Sequence, residues 1–142
     1  MNRNVTIRHY LDEIVTIAKD DSHGYSQSSR WGHPNYDCSS LVITVLQHAG
    51  LPVKDLGATY TGNMLKPLLQ TGFKIVTPQI DLTTGNGLQP GDILLTTGKH
   101  TAVFIGDNKT CEATTAHTNQ ADQIRIRSYR NYPWTHVLRL AP

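Results

Sequence analysis

The pattern of apolar residues changes at residue 73, and this change constrains the fold more than any other feature of the chain. Before it, apolar residues recur at steps of three and four, as they do along one face of a helix. After it, short runs rich in β-branched residues alternate with turn residues, which is typical of strands joined by tight connections. Helices followed by strands predict an α+β fold, with N-terminal helices packed on a central antiparallel sheet.

Three helices are predicted in the first half of the chain. The first carries an apolar stripe formed by Ile7, Leu11, Ile14, Val15 and Ala18. The second is capped at its start by Asp37 and ends before Gly50. A shorter helix is predicted at about residues 61–70, kinked or delayed by Pro67. Residues 19–37, rich in Ser, Gly, Asn and Pro, are predicted to form a loop, and loops of that length are usually functional or disordered.

Six strands are predicted in the second half, at residues 73–76, 93–96, 101–105, 110–115, 123–127 and 136–140. The chain has 142 residues, which is the size of one ordinary domain. No internal repeat or low-complexity linker divides it. Residues 1–142 are therefore predicted to form a single domain.

Composition excludes several classes of protein. A net charge of +2 is too small for the dense basic face of a nucleic-acid-binding protein, although it is compatible with a polyanionic surface such as a bacterial wall. The two cysteines, Cys38 and Cys111, are too few for a disulfide framework or a four-cysteine zinc site. The N-terminal residues lack the apolar run of a signal peptide, and no stretch approaches a membrane span. We therefore expect a soluble chain, made in the cytoplasm without a signal peptide.

Cys38 is the first candidate for chemistry, because it follows the cap Asp37 at the start of a predicted helix. A helix N-terminus favours negative charge, so the position predicts a lowered thiol pKa. The free backbone N–H groups of Cys38 and Ser39 are suited to hold a developing oxyanion. The alternative is a small buried apolar residue, which is what most lone cysteines are. Spacing alone leaves both interpretations open.

A cysteine nucleophile needs a base, and the chain offers seven histidines: His9, His23, His33, His48, His100, His117 and His136. His9 and His48 fall in predicted helices, while His23 and His33 flank the long loop. His100 differs from the others because it opens a predicted strand directly after a glycine turn. Catalytic groups are often held at strand ends, so His100 is the favoured base.

The strands after His100 decide whether Glu112 can reach it. If residues 106–108 form a three-residue loop, Ala102 pairs with Glu112, and His100 lies on the same face at a diagonal distance of roughly 7–8 Å. A two-residue Asp107-Asn108 turn reverses this parity and separates the two side chains, unless a bulge intervenes. Glu112 at this position would orient the imidazole; the alternative is a solvated strand carboxylate.

Three ordered motifs resemble the NlpC-type papain-like cysteine hydrolases of peptidoglycan: YDCSSLV at 36–42, LQPGDILL at 88–95 and HTAVFIGDNKTCEAT at 100–114. The family hallmarks are Asp-Cys-Ser at a helix start, Pro-Gly-Asp ahead of a core strand, and a strand histidine followed by a glycine turn. Residues 23–42 and 57–64 are similar to the bacteriophage peptidoglycan hydrolase branch, in which the domain is commonly the catalytic part of an endolysin. The resemblance implies a papain-like NlpC-type fold.

The resemblance also implies catalytic roles. Cys38 would attack an amide carbonyl and form a thioester, and His100 would take the thiol proton and then protonate the leaving amine. The third position of the family is often His, Asn or Gln, whereas this chain has Glu112. Such a mechanism needs no cofactor.

Six further residues are expected to contact the substrate: Tyr25, Arg30, Trp31, Asp37, Ser39 and Tyr60. Tyr25 matches a family tyrosine that helps form the oxyanion site, and Asp37 and Ser39 match motif positions that shape the helix start and touch substrate. We expect Arg30 to meet a peptide carboxylate and Trp31 to stack on an apolar or sugar face. For the groove residues, the alternatives are a surface charge and packing aromatics.

Three arginines, Arg125, Arg127 and Arg130, follow in the predicted fifth strand and after it. One interpretation is attraction of anionic wall polymers, and the favoured one is a solvated strand face.

Within the enzyme class, two bonds of peptidoglycan compete. The resemblance to the phage branch favours the N-acetylmuramoyl–L-alanine amide, and the alternative is a γ-D-glutamyl or cross-bridge peptide bond. Acyl transfer through the same thioester is a further option. A different class is a non-catalytic module that binds wall peptide, or one that holds a metal through its cysteines and histidines, but no C-x-x-C or H-x-x-x-H spacing is present. We expect a monomer that acts on the bacterial cell wall.

Overall fold

The computed structural model describes residues 3–20, 22–32, 34–114 and 123–140, so His33 and His117 lie outside the described residues. The helices are α1 (Arg3–Lys19), α2 (Cys38–His48) and α3 (Leu65–Gln70), with 3-10 turns at Thr61–Asn63 and Thr77–Gln79. The strands are β1 (Phe73–Ile75), β2 (Ile93–Thr96), β3 (His100–Gly106), β4 (Lys109–Ala113), β5 (Ile124–Ser128) and β6 (His136–Leu140). Every predicted strand is present, with ends that differ by at most two residues.

One sheet contains these strands in the order β1-β6-β2-β3-β4-β5, and each neighbouring pair is antiparallel. Helices α1 and α2 pack together and cover β3, β4 and β5 on one face. The predicted α+β class, with N-terminal helices on an antiparallel sheet, is confirmed. Among the described residues, none of the helices combines the length and the apolar character that a bilayer crossing requires.

The core lies between the helices and the sheet, and a smaller apolar cluster lies on the other face. The main core includes Tyr10, Ile14, Leu41, Leu46, Ile93, Leu95, Val103 and Cys111. The smaller cluster includes Leu94, Ala102, Trp134 and Val137. Strand β2 is therefore buried on both faces, which explains its continuous apolar run.

Helix α1 buries a face that is rotated from the predicted stripe. Its buried residues are Thr6, Tyr10, Ile14 and Ile17, while Ile7, Leu11, Val15 and Ala18 are only partly buried. Tyr10 accounts for the difference, because its hydroxyl donates a 2.6 Å hydrogen bond to the carbonyl of Gly91. This bond fixes the helix to the Pro-Gly-Asp turn that precedes β2.

The Pro-Gly-Asp motif is itself a structural joint. Asp92 is 1% exposed, and its carboxylate accepts hydrogen bonds from Nε and Nη2 of Arg139 at 2.9 and 2.8 Å. It also accepts a 2.8 Å bond from the backbone N–H of Gln89. The hydrogen bond to Asp92 raises the pKa of Arg139. The motif therefore ties β6 to the beginning of β2.

The β3–β4 hairpin resolves the register that the sequence left open. Asp107 and Asn108 have φ angles of 56° and 55°, as a two-residue hairpin turn requires, and Gly106 pairs with Lys109. The register then shifts between Phe104 and Gly106, and the next pairs are Phe104–Thr110 and Val103–Cys111. The two-residue turn is thus accompanied by a bulge. The bulge restores the parity that puts His100 and Glu112 on one face.

Candidate active site

Five separate segments of the chain meet around one cavity of about 210 Å³. Cys38 is the first residue of α2, His100 is the first residue of β3, and Tyr25 comes from the loop between α1 and α2. The remaining lining residues are Lys99, Ala113, Thr114, Arg130 and Tyr132. A wider cavity of about 600 Å³ lies beside α1, and the described residues that line it include no cysteine or histidine, while Arg139 pairs with Asp92 there. Of these two cavities, the smaller one combines a cysteine with a histidine.

Cys38 is held at the helix start by the cap that the sequence predicts. Asp37 Oδ1 accepts a 2.8 Å hydrogen bond from the backbone N–H of Ser40, and Ser40 Oγ accepts a 2.9 Å bond from the backbone N–H of Asp37. This reciprocal capping box fixes the first turn of α2. Cys38 follows immediately, so its position is set by the cap.

The sulfur of Cys38 is surrounded by backbone donors but has a high pKa. The backbone N–H groups of Thr101, Ser39 and Cys38 itself favour its ionised form and act to lower its pKa, and Thr101 adjoins His100. Burial and then the negative charge of Asp37 outweigh these donors and raise the pKa of the Cys38 thiol to about 11. The predicted lowering of this pKa is therefore wrong for the free protein. The helix start does contribute, but removal from water has the larger effect.

His100 is oriented by a carboxylate and by two aromatic rings. Its Nε2 is hydrogen-bonded to Oε2 of Glu112, across the two strands of the hairpin. The ring centroid lies 5.1 Å from that of Tyr132 and 5.9 Å from that of Trp134, with an interplanar angle of 23° to the indole. Because Glu112 occupies Nε2, the nitrogen left for proton exchange is Nδ1.

Glu112 is not the solvated strand carboxylate that the sequence left as an alternative, since only 2% of its surface is exposed. Arg127 Nη1 lies 3.7 Å from Oε1, and Arg130 Nη2 lies 3.7 Å from Oε2. Burial alone would raise the pKa of Glu112, but the hydrogen bond and charge of His100, with the charges of Arg130 and Arg127, lower it. The carboxylate is therefore ionised near neutral pH.

The arginines correct the expectation of a solvated strand face. Arg125 stands directly opposite Glu112 in the β4–β5 register, and Arg127 stands opposite Thr110. Both positions share the face of Glu112, because directly paired residues project to the same side. Arg127 and Arg130 form ion pairs with Glu112. The alternation of Arg125 and Arg127 along β5 is visible in the sequence. Its meaning depends on the pairing of β5 with β4, which the sequence alone does not give.

Arg30, Asp37 and Ser39 form a cluster that braces the start of α2. Arg30 Nε donates a 2.6 Å bond to Asp37 Oδ2, and Arg30 Nη2 donates to Ser39 Oγ at 3.0 Å and to the carbonyl of Thr59. Asp37 and Ser39 are 8% and 2% exposed. These polar groups satisfy one another. The cluster therefore holds the first turn of α2, next to Cys38.

Tyr25 lines the same cavity as Cys38 and His100. Its backbone forms an isolated parallel β-bridge with Tyr36, and its backbone N–H donates a 2.9 Å hydrogen bond to Oε1 of Gln123. Burial is the main cause of its raised pKa, and the charges of Cys38 and Asp37 add to it. The Tyr25 hydroxyl thus stays protonated near neutral pH and is available as a donor.

Trp31 and Tyr60 lie outside the lining of the Cys38 cavity. Lys54 Nζ lies 3.9 Å from the centroid of the Trp31 ring and Arg30 Cζ lies 4.5 Å from it, which are cation–π distances. Tyr60 is 55% exposed, and its ring covers Gly62 so closely that a Cβ there would lie 2.4 Å from a ring carbon. The structure does not bring these two aromatic residues to the nucleophile, and Tyr60 presents its ring to solvent.

Cys111 belongs to the core and not to the cavity. It is fully buried, and its thiol donates a 3.6 Å bond to the carbonyl of Ile14 in α1. This confirms that Cys111 points away from the face of His100. Within the described ranges, no group of three or more His, Cys, Asp or Glu residues is arranged to hold a metal ion.

Comparison with known proteins identifies both a family and a fold. Residues 32–111, which include Cys38 and His100, match the family model described as an endolysin-like domain. The P60 domain of antigen MAP1204 from M. avium subspecies paratuberculosis has 13% identity and a TM-score of 0.56, over 94% of this chain and 92% of that one. The peptidoglycan hydrolase RipB from Mycobacterium tuberculosis has 17% identity and a TM-score of 0.60, over 100% of this chain and 69% of that one. No curated protein matches the chain. The structural neighbours confirm the predicted NlpC-type fold.

Proposed function

This chain belongs to the endolysin-like domain family, and from that premise we propose that it hydrolyses an amide bond in bacterial peptidoglycan, with Cys38 as the nucleophile. One observation carries the proposal. Cys38 and His100 line the same cavity, and the far nitrogen of His100 is held by the buried carboxylate of Glu112. A nucleophile, a base and a group that orients the base form the arrangement that covalent amide hydrolysis requires.

The first half of the reaction forms a thioester. The Cys38 thiol has a pKa of about 11, so in the free protein it is neutral, and its proton passes to Nδ1 of His100 as the sulfur attacks the carbonyl carbon. Glu112 stabilises the imidazolium that results. His100 then gives this proton to the leaving amine, the carbon–nitrogen bond breaks, and the acyl group remains on the sulfur.

The second half regenerates the enzyme. His100 accepts a proton from water, the resulting hydroxide attacks the thioester carbonyl, and the carbon–sulfur bond breaks. The departing thiolate of Cys38 recovers its proton from His100. In both halves the carbonyl oxygen becomes an oxyanion, and the candidate donors for it are the backbone N–H of Cys38 and the hydroxyl of Tyr25, which lines the same cavity.

The cavity limits what enters the site. A volume of about 210 Å³ is below the range of about 300–1,000 Å³ that is typical of small-ligand pockets. It accommodates the scissile amide and a small neighbouring group, while the remainder of a polymer lies across the surface. This suits a wall polymer that is cut at an exposed amide.

We propose the N-acetylmuramoyl–L-alanine amide as the bond that is cut, on the basis of the similarity to the phage branch. The test is digestion of purified peptidoglycan by wild-type protein and by Cys38→Ala, with mass spectrometry of the released fragments. Free stem peptides that begin with L-alanine are the expected product. Fragments cut within the stem or bridge would replace this choice with an endopeptidase. A lack of fragments across several wall types would favour a non-catalytic binding module.

A further inference from the structure

Glu112, the third member of the site after Cys38 and His100, carries a negative charge that must be compensated. The resembled family often has His, Asn or Gln there, whereas this chain has Glu112, which is only 2% exposed. A buried carboxylate costs free energy unless cations or hydrogen-bond donors surround it. One oxygen, Oε2, is bonded to His100, and the other, Oε1, has no hydrogen-bond partner among the described residues.

His100 alone does not compensate this charge. To act as a base it must be neutral before the reaction, and a neutral imidazole donates one hydrogen bond but carries no charge. Arg127 and Arg130 are permanently charged, and each lies 3.7 Å from a different oxygen of Glu112. At that distance they act on the carboxylate mainly through their charge, because hydrogen bonds are shorter.

We propose that Arg127 and Arg130 are positioning residues that keep Glu112 ionised and thereby fix the tautomer of His100. An ionised carboxylate only accepts hydrogen bonds, so His100 must carry its proton on Nε2, and Nδ1 keeps the lone pair that takes the thiol proton. A protonated Glu112 would donate to Nε2 and move the imidazole proton to Nδ1. The inference rests on the proposed function for its catalytic consequence, but the tautomer itself is measurable without turnover.

The surroundings of Glu112 come from three parts of the chain. His100 faces it from β3, and Arg125 and Arg127 share its face from β5. Arg130 lies just after β5, and its guanidinium carbon is 4.9 Å from the centroid of the Tyr132 ring, which also packs against His100. The ring thus holds both Arg130 and the imidazole, so the cation and the base keep a fixed relation.

Nuclear magnetic resonance tests the tautomer directly. We expect the ¹⁵N shifts of His100, assigned by comparison with His100→Gln, to show the Nε2–H form near neutral pH in the wild-type protein. In Arg127→Gln/Arg130→Gln the pKa of Glu112 rises, so the Nδ1–H form should appear as the pH is lowered. Lys109→Gln removes an exposed cation from β4 and is the matched control. An unchanged tautomer in the double variant, or the same change in the control, overturns the proposal.

A double-mutant cycle tests the catalytic consequence. Arg127→Gln and Arg130→Gln should each lower kcat/KM about ten-fold with Glu112 present. In the Glu112→Gln background the same changes should cost less than about two-fold, because no carboxylate remains to be kept ionised. Arg→Lys variants, which keep the charge, should retain most activity. Equal losses in both backgrounds would mean that the arginines act on the substrate or the fold, and would overturn the proposal.

The two proposals fail in different ways. If the wild-type protein releases no peptidoglycan fragments, the proposed function fails, whereas the His100 tautomer is still measured in the same protein. If fragments are released but the tautomer is independent of both arginines, only the positioning role fails. Circular dichroism of each variant checks folding, and the neutral variant Glu112→Gln/Arg127→Gln/Arg130→Gln provides a form without buried charge at this cluster.

Discussion

Nε2 of His100 is hydrogen-bonded to Glu112, although the two residues are not directly opposed in the β3–β4 ladder. They meet diagonally, because a bulge between Phe104 and Gly106 shifts the register of the hairpin. With the same two-residue turn and no bulge, the side chains would project to opposite faces. A local irregularity of one residue therefore determines whether the base has an orienting partner.

The first prediction concerns Glu112. Glu112→Gln should lower kcat/KM about ten-fold, since an amide oxygen still orients His100 but does not stabilise the imidazolium, and Glu112→Ala should lower it further. Steady-state kinetics on soluble stem substrates measure both. Equal activity in the wild type and in Glu112→Ala would contradict the role of Glu112 as the third member of the site.

The second prediction concerns stability in acid. The pKa of Glu112 is lowered by folding, so its contribution to stability is fully present above its unfolded pKa of about 4.3 and is lost as pH falls through the folded value. Between about pH 6 and about pH 3, the melting temperature of Glu112→Gln should therefore fall less than that of the wild type. Thermal unfolding followed by circular dichroism measures this, with Asp12→Asn, which removes an exposed carboxylate from α1, as the control. Parallel curves for the wild type and Glu112→Gln would refute it.

The third prediction concerns the reactivity of the thiol. With a pKa of about 11, the Cys38 thiolate fraction rises about ten-fold per pH unit from about pH 7 to about pH 10. The rate of alkylation by iodoacetamide in Cys111→Ser should follow this rise. Cys111 itself has a pKa raised to about 12 by burial and should stay unmodified in the folded wild type. A rate that reaches its plateau below about pH 8 would instead indicate a preformed thiolate.

The fourth prediction concerns Arg30. Arg30→Gln leaves the carboxylate of Asp37, which is 8% exposed, without its ion-pair partner, and should lower the free energy of unfolding by about 2 kcal/mol. Chemical denaturation measures the loss, and Lys54→Gln, which also removes a cation over Trp31, is the matched control. A raised KM with unchanged stability would contradict this bracing role and would support the expectation that Arg30 binds a substrate carboxylate.

The fifth prediction concerns metal removal. None of the proposed steps uses a metal ion, so EDTA should leave the rate of peptidoglycan hydrolysis unchanged. Loss of activity on chelation, followed by recovery on addition of zinc, would contradict the mechanism.

Much of the fold could be predicted from local patterns. Strands β2 and β6 have their predicted bounds, because turn residues on both sides delimit their apolar runs. Helix α2 begins after Asp37, because a capping side chain acts within four residues. Such signals are encoded in neighbouring residues, so they can be interpreted without knowledge of the tertiary structure.

The features that were missed depend on packing between distant segments. The pKa of Cys38 is raised because the fold buries the thiol, and no local pattern reports burial at a helix start. The ion pairs of Arg127 and Arg130 require that β5 pairs with β4 in one particular register. The guanidinium of Arg30 donates hydrogen bonds to Asp37 and Ser39, and these contacts form only when the loop before α2 is folded.

The most direct test of the central claim is release of dye from labelled peptidoglycan by the wild type, Cys38→Ala and Cys111→Ser, with folding checked by circular dichroism. The Cys38 thiol lines the cavity with His100, whereas Cys111 is in the core. The account predicts that the wild type releases dye and that Cys111→Ser retains most of this activity. Folded Cys38→Ala should release none. Undiminished release by Cys38→Ala, with activity lost in Cys111→Ser, would contradict it.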